Sequence, residues 1–216
     1  MNIKLAVFDF DGTLMDTKET IVVAKQETMK ELGLPVADVK SFVGTIGLSA
    51  KLGFQKIYPD LSDEMLDLCV KTYREKFNSL KETIPPVLFP NVKETLKTLK
   101  MNDIVCTIAT SRNRKSLLEF LALMKLSEFF TYILAGEDTP LLKPHPDAVL
   151  KTLADLSFKA ENTIVIGDMP YDILMGKNAG VHTCGVTYGC SEKADLLEAG
   201  AEYIIEDFAE LPGLIK

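Results

Sequence analysis

Residues 7–17 read VFDFDGTLMDT, where the apolar run IKLAVF (3–8) stops at two aspartates, Asp9 and Asp11, with only Phe10 between them. Carboxylates that close repel one another, and leaving both at a buried strand end costs stability unless a cation or a reaction uses them. An EF-hand calcium loop does not fit: its glycine belongs at the sixth loop position, here Leu14, and no helical pattern precedes Asp9. A solvated acidic turn is the plain alternative, but aspartates seldom follow a buried strand without a partner or a task. Strand alternation turns Phe10 away from the acids and into the core.

The same kind of run recurs at DIVCTIA (103–109), FTYILA (130–135) and NTIVIG (162–167), and more weakly at VHTCGV (181–186) and AEYII (201–205). Short continuous apolar runs bounded by turn residues predict strands buried on both faces, the mark of a parallel sheet. Between them, VKETLKTLK (92–100), RKSLLEFLALMKL (114–126) and PDAVLKTLADL (146–156) space their apolar residues as helices do. Strand–helix alternation predicts an α/β fold with a doubly wound, mostly parallel sheet. From Thr17 to Leu80 the rhythm breaks into helix after helix, with Gly33 as a C-terminal cap and Ser62 as an N-cap. This predicts a core of residues 1–15 and 86–216 interrupted by an inserted helical domain of residues 16–85. Its second connection is the stiff IPPVLFPNV (84–92), where Pro85, Pro86 and Pro90 disfavour helix.

With 216 residues, 47% of them apolar and 25% charged, the chain has the makeup of an ordinary soluble globular protein. A net charge of -7 argues against nucleic acid or an anionic membrane as partner. It leaves room for a small anion, because a metal ion or a lysine reverses the sign of one pocket. Cys69, Cys106, Cys184 and Cys190 are scattered without a CxxC pair, and with only two histidines a structural zinc site is not expected. Reduced thiols, a start unlike a signal peptide and no apolar stretch near the ~20 residues of a membrane span predict a cytoplasmic protein, monomer or homodimer.

Three further parts fall at corresponding places in the sheet. IATSR (108–112) ends a strand with hydroxyls at Thr110 and Ser111, suited to donate to an anion before a helix. LLKPHPD (141–147) places Lys143 in a loop stiffened by Pro144 and Pro146, a point charge for a phosphate. IGDMPYDI (166–173) ends another strand with Asp168 and, four residues on, Asp172. A lone DxD pair says little; these four parts in this order say much.

In DFDGT, the Thr-Ser pair, the KP lysine and GDxxxD, the chain resembles the haloacid dehalogenase-like hydrolase superfamily over its full length. The helical block looks like that family's type-1 cap, and in detail the chain is similar to the phosphoglycolate-phosphatase-like branch. The resemblance implies a phosphatase acting on a small phosphate monoester. Asp9 would attack phosphorus to form an aspartyl-phosphate. Asp11 would protonate the leaving alkoxide and then deprotonate the hydrolytic water. Mg²⁺ would be held by Asp9, Asp168 and the backbone carbonyl of Asp11. Thr110 and Lys143 would hold the transferring phosphoryl group, and Asp172 would orient the lysine or a metal-bound water. Specificity is expected from the cap, through FVGTIG (42–47) with Gly44 and Gly47, and from Ser111, Arg112 and Asn113 beside the second motif.

Several residues and rival functions are set aside at this level. His145 reads as a turn or helix-start residue, Cys106 as packing, and Asn91 as a turn residue tolerant of a left-handed backbone. Dehalogenation has no need of an acid at Asp11. Phosphonate cleavage uses a cap lysine as a Schiff base, and Lys25, Lys30 and Lys51 have no distinctive setting in the sequence. A β-phosphoglucomutase-like mutase and a pyrophosphatase remain as alternatives, the mutase disfavoured by the intact GDxxxD. A phospho-accepting receiver module lacks the helical insertion, and an idle binding protein is not expected where no motif position is damaged.

Overall fold

In the computed structural model, which describes residues 2–215, all six apolar runs form strands lying side by side. The chain begins with β1 (Leu5–Phe8) and β2 (Met15–Asp16), then α1 (Lys18–Glu31), α2 (Val39–Val43), α3 (Ala50–Ile57) and α4 (Asp63–Leu80). It continues through β3 (Val87–Leu88), α5 (Val92–Met101), β4 (Val105–Ala109), α6 (Arg114–Leu123), β5 (Phe130–Leu134) and α7 (Asp147–Leu156). The last third is β6 (Thr163–Gly167), α8 (Pro170–Asn178), β7 (His182–Val186), α9 (Lys193–Ala199), β8 (Tyr203–Ile205) and α10 (Leu211–Leu214).

The main sheet has the order β5-β4-β1-β6-β7-β8, with every neighbouring pair parallel. The chain winds outward from β1 to β4 and β5, then crosses back to β6 and winds the other way. The direction reverses between β1 and β6, and a crevice opens there at the carboxyl ends of the strands. Alternation along β1 separates its neighbours cleanly. Ala6 and Phe8 pack with Leu96 and Leu99 of α5 and Leu117 and Leu121 of α6. Leu5 and Val7 pack with Val149 of α7 and Met175 of α8 on the other face. This doubly wound α/β sheet agrees with the fold class expected from the sequence. Phe10 is fully buried in the first of these clusters.

Helices α1–α4 have a core of their own, built on Val22, Met29, Phe42, Phe54, Leu66 and Cys69. Their ends follow capping chemistry. Asp38, Ser49 and Ser62 each accept a backbone N–H of the first turn of α2, α3 and α4, and Gly33 closes α1 with a left-handed backbone. The two connections to the sheet were not foreseen as structure. Met15–Asp16 and Val87–Leu88 pair as a short antiparallel ribbon, extended by the Phe89 N–H donating to the Leu14 carbonyl. The Pro85-Pro86 pair, which keeps the approach out of helix, leads into that ribbon. The expected division at 15/16 falls inside its first strand, and that at 85/86 just before its second.

Among the described residues all four cysteines are free, and burial pushes the Cys106 and Cys184 thiols up to about 12. No described helix is long and apolar enough to cross a membrane. Asn91 has a left-handed backbone, and His145 is exposed with its Nδ1 2.9 Å from Asp147.

Candidate active site

Asp9 extends β1 by one residue, its N–H donating to the Ile166 carbonyl of β6. The chain then turns sharply, with Leu14 and Met15 both donating to the Phe10 carbonyl. Gly12 makes the turn possible. Its φ of 88° is one that L side chains resist, and a Cβ there would lie 2.1 Å from Asp168 Oδ2. The turn thus lays the Asp9–Asp11 segment against the end of β6.

Asp9, Asp168 and Asp172 converge beneath this turn, with one carboxylate oxygen of each within 4.8 Å of the others, all three buried. Lys143 bridges two of them, donating to Asp9 Oδ1 at 2.5 Å and Asp172 Oδ1 at 2.7 Å. Asp172 is placed by its helix: at the start of α8 its Oδ2 accepts the Met169 N–H. Asp168 accepts from the Cys190 N–H at 2.8 Å and from the Thr13 hydroxyl at 3.3 Å. Asp9 Oδ2 is left over. It is the one buried side-chain polar atom without a hydrogen-bond partner among the described residues.

The electrostatics of this cluster are unbalanced. Burial, opposed by Lys143 and aided by Asp172 and Asp168, lifts the Asp9 pKa well above the carboxylate range. Burial and the Asp172 charge push Asp168 up to about 7. Burial disfavours the Lys143 charge, but Asp172 and Asp9 outweigh it and keep the ammonium firmly protonated. Three buried carboxylates, with one oxygen of each within 4.8 Å of the others, face a single ammonium, and this excess of negative charge fits a divalent cation. An all-oxygen donor set suits Mg²⁺.

The Asp11 side chain is not part of that cluster. Its Oδ1 accepts from the Thr17 hydroxyl at 2.8 Å, and Arg112 clamps both oxygens, Nε to Oδ2 at 2.9 Å and Nη2 to Oδ1 at 2.5 Å. The guanidinium also donates to Ser116 and lies over the rings of Phe77 and Phe120 at 4.8 and 5.0 Å. Sequence reasoning assigned Arg112 to substrate; here its fork is occupied by Asp11. Ser111, expected to serve an anion, donates instead to the Gly47 carbonyl of the helical block at 2.6 Å. Thr110 accepts the Arg112 N–H, and its own hydroxyl proton has no acceptor among the described residues.

A cavity of 640 Å³ opens over Asp9 and Asp11 between the sheet edge and the helical block. Thr110, Ser111, Arg112 and Asn113 line the sheet side, and Lys25, Thr45, Gly47, Tyr73 and Phe77 line the helical side. Lys143, Asp168 and Asp172 are not on its wall. Nor is Gly44, expected to approach a ligand; its carbonyl accepts from Tyr171 at 2.9 Å. Lys56 donates to the same Tyr171 hydroxyl at 2.6 Å, so these contacts seat the helical block on the sheet edge.

One cavity residue was passed over. Lys25, grouped with Lys30 and Lys51 as unremarkable, is 4% exposed, and its Nζ donates to the Thr45 hydroxyl at 2.6 Å. Burial pulls its pKa down to about 7 against the opposing charge of Asp11. The signal was in the sequence: Lys25 sits four residues after Ile21 and four before Met29, on the buried stripe of α1.

A family model described as haloacid dehalogenase-like hydrolase matches residues 6–186. The pyrophosphatase PpaX of Halalkalibacterium halodurans (strain C-125) is 31% identical over 215 residues, spanning 100% of this chain and 98% of that protein. The phosphoglycolate phosphatase of Haemophilus influenzae is 28% identical over 219 residues, spanning 98% of each. Among solved structures, a hydrolase from Pseudomonas syringae superimposes with a TM-score of 0.89 at 25% identity, covering 98% of this chain and 97% of that one.

Proposed function

The chain belongs to the haloacid dehalogenase-like hydrolase family, and from that premise we propose that it is a Mg²⁺-dependent phosphatase hydrolysing a small phosphate monoester through an aspartyl-phosphate on Asp9. The observation that carries this reading is the unpartnered, buried Oδ2 of Asp9, a residue that lines the cavity and whose other oxygen is held by Lys143. An oxygen engaged by no donor is free to attack. Its neighbour Oδ1, held by Lys143, fixes the carboxylate in place.

Asp9 Oδ2 attacks phosphorus as the bond to the ester oxygen breaks, and the phosphoryl group moves onto the carboxylate. Asp11 gives a proton to the departing alkoxide. It then takes one from the water that attacks the aspartyl-phosphate, releasing inorganic phosphate and restoring Asp9. Thr110 and Lys143 offset charge on the phosphoryl oxygens. Asp9, Asp168 and the backbone carbonyl of Asp11 would hold Mg²⁺, with Asp172 orienting Lys143, and the ion would supply further neutralisation of the phosphoryl charge. Helices α1–α4 act as the cap that keeps bulk water from Asp9.

A phosphoglycolate-like substrate follows from the resemblance in the first motifs, and pyrophosphate is the second reading, favoured by the buried cation Lys25 in the cavity wall. The test is hydrolysis of p-nitrophenyl phosphate after chelation and after Mg²⁺ is restored. Activity should vanish with EDTA and return with Mg²⁺, but not with Zn²⁺. Full turnover after exhaustive chelation would remove the metal from this account.

A further inference from the structure

Lysine is almost never buried without a carboxylate partner, because an unpaired ammonium out of water is costly. Lys25 is such a case. It is 4% exposed, no Asp or Glu among the described residues lies within ion-pair distance, and its one hydrogen-bond partner is the neutral hydroxyl of Thr45. That hydroxyl is itself oriented, donating its proton to the Phe42 carbonyl at 2.8 Å, so it offers Lys25 a lone pair and nothing more. Two N–H bonds of the ammonium remain unspent.

The other cations on the cap side of the cavity are differently placed. Lys51 is paired with Asp63 and Asp67, Lys81 with Glu119, and Arg74 is exposed to solvent. Asp11, the nearest acid in effect, has its oxygens taken by Arg112 and Thr17. Lys25 is therefore a fixed, desolvated amine facing the same cavity as Asp9, and the partner that would hold its positive charge is an anion that arrives from outside.

We propose that Lys25, held by Thr45, is the specificity-determining residue of this enzyme and binds a second anionic group on the substrate whose phosphoryl group reacts at Asp9. The proposal rests on the phosphatase reading and sharpens it: the substrate is a compact molecule with a phosphoryl group at one end and a carboxylate or second phosphoryl at the other. A neutral group in that position would leave the ammonium unpaired, so the same residue that attracts acids disfavours uncharged esters.

The test compares kcat/KM for 2-phosphoglycolate, pyrophosphate and p-nitrophenyl phosphate in the wild type, Lys25→Met, Lys25→Gln and Lys25→Arg, with melting temperatures alongside. In Lys25→Met the ratio of the preferred acidic substrate to p-nitrophenyl phosphate should fall on the order of 10- to 100-fold, as for one lost charge-assisted hydrogen bond. Lys25→Arg should recover part of it. Which of the two acidic substrates loses more identifies the second group as carboxylate or phosphoryl. The Met variant should melt no lower than wild type, since an apolar side chain replaces an unpaired buried charge. Equal loss on all three substrates with a lowered melting temperature would make Lys25 structural and overturn the proposal, as would an unchanged ratio. A wild type idle on all three with Mg²⁺ present would overturn the phosphatase reading, and the proposal with it.

Discussion

Arg112 clamps both carboxylate oxygens of Asp11 while its guanidinium lies over the rings of Phe77 and Phe120. Phe77 belongs to α4 of the helical block and Phe120 to α6 of the core, so the arginine that holds Asp11, the proposed acid–base residue, also joins the two parts. Burial works against the Arg112 charge, but Asp11 outweighs it and keeps the guanidinium protonated. Breaking a buried pair by removing one partner typically costs about 3–5 kcal/mol. Arg112→Met should therefore lower stability by that order, measured by urea unfolding. Turnover should fall more than KM rises, and Arg112→Lys should restore part of kcat. A Met variant with full kcat would show that Arg112 does not position Asp11.

The metal binding proposed for the acid cluster should depend on pH in a definite direction. Asp168 has its pKa raised from 3.8 to about 7. A raised acid binds its proton more tightly when folded, so its contribution to stability is complete below the unfolded value and is lost as pH climbs through the folded one. In EDTA, Asp168→Asn should gain stability relative to wild type as pH rises from about 4 to 7. Over the same interval the rise in melting temperature produced by Mg²⁺ in the wild type should grow, because the ionised acids bind the cation. Thermal scans across pH measure both. A Mg²⁺ effect that shrinks toward neutral pH would contradict the assignment.

Gly12 permits the approach of the first turn to Asp168. A Cβ at this position would meet the Asp168 carboxylate at 2.1–2.8 Å with φ at 88°. Gly12→Ala should abolish phosphatase activity and the stabilisation by Mg²⁺. Gly180 has a φ of 72° but open space around it, so Gly180→Ala should cost only about 1 kcal/mol of backbone strain and keep its activity. Calorimetry with and without Mg²⁺ separates the two. Intact Mg²⁺ stabilisation in Gly12→Ala would mean that the turn does not govern the metal site.

The polar contacts that seat the cap include Ser111 to the Gly47 carbonyl, Tyr171 to the Gly44 carbonyl with Lys56 on the tyrosine hydroxyl, and the Lys81–Glu119 pair. Removing the three hydrogen bonds of Ser111 and Tyr171, one of them from an ammonium, as in Ser111→Ala with Tyr171→Phe, should loosen the seating of the cap by about 2–5 kcal/mol. Fluorophores on cap and core should then report a longer distance in the free enzyme, shortened again by Mg²⁺ with vanadate. A distance unchanged by the double substitution and by vanadate would make the cap a fixed wall.

The strands were legible because buried parallel strands are continuous apolar runs, and β1, β4 and β6 need no partner to be recognised. Asp9, Lys143, Asp168 and Asp172 were legible as a set because the aspartates follow closely on the ends of β1 and β6 and the lysine lies in the loop after β5, and this topology brings that edge of the sheet together. The β2–β3 ribbon was not, since two-residue strands carry no periodicity. Nor was α8, whose PYDILMGKN has little apolar spacing and is set by Pro170 at its start and the Asp172 bond to Met169. The partners of Asp11 and Ser111 depend on how the cap seats: Arg112 lies 101 residues from Asp11 and Gly47 lies 64 from Ser111. Local pattern does not reach that far. Lys25 was different, since its place on a buried stripe was in plain view and only its type argued against burial.

In the proposed mechanism Asp9 carries the phosphoryl group between the two half-reactions. Acid quenching during turnover, followed by peptide mass mapping, tests it directly, and Asp11→Asn should make the intermediate easier to catch by slowing its hydrolysis. Phosphate should appear on the peptide containing Asp9, and none in Asp9→Asn. Phosphate on another residue, or steady hydrolysis by Asp9→Asn at the wild-type rate, would contradict that mechanism.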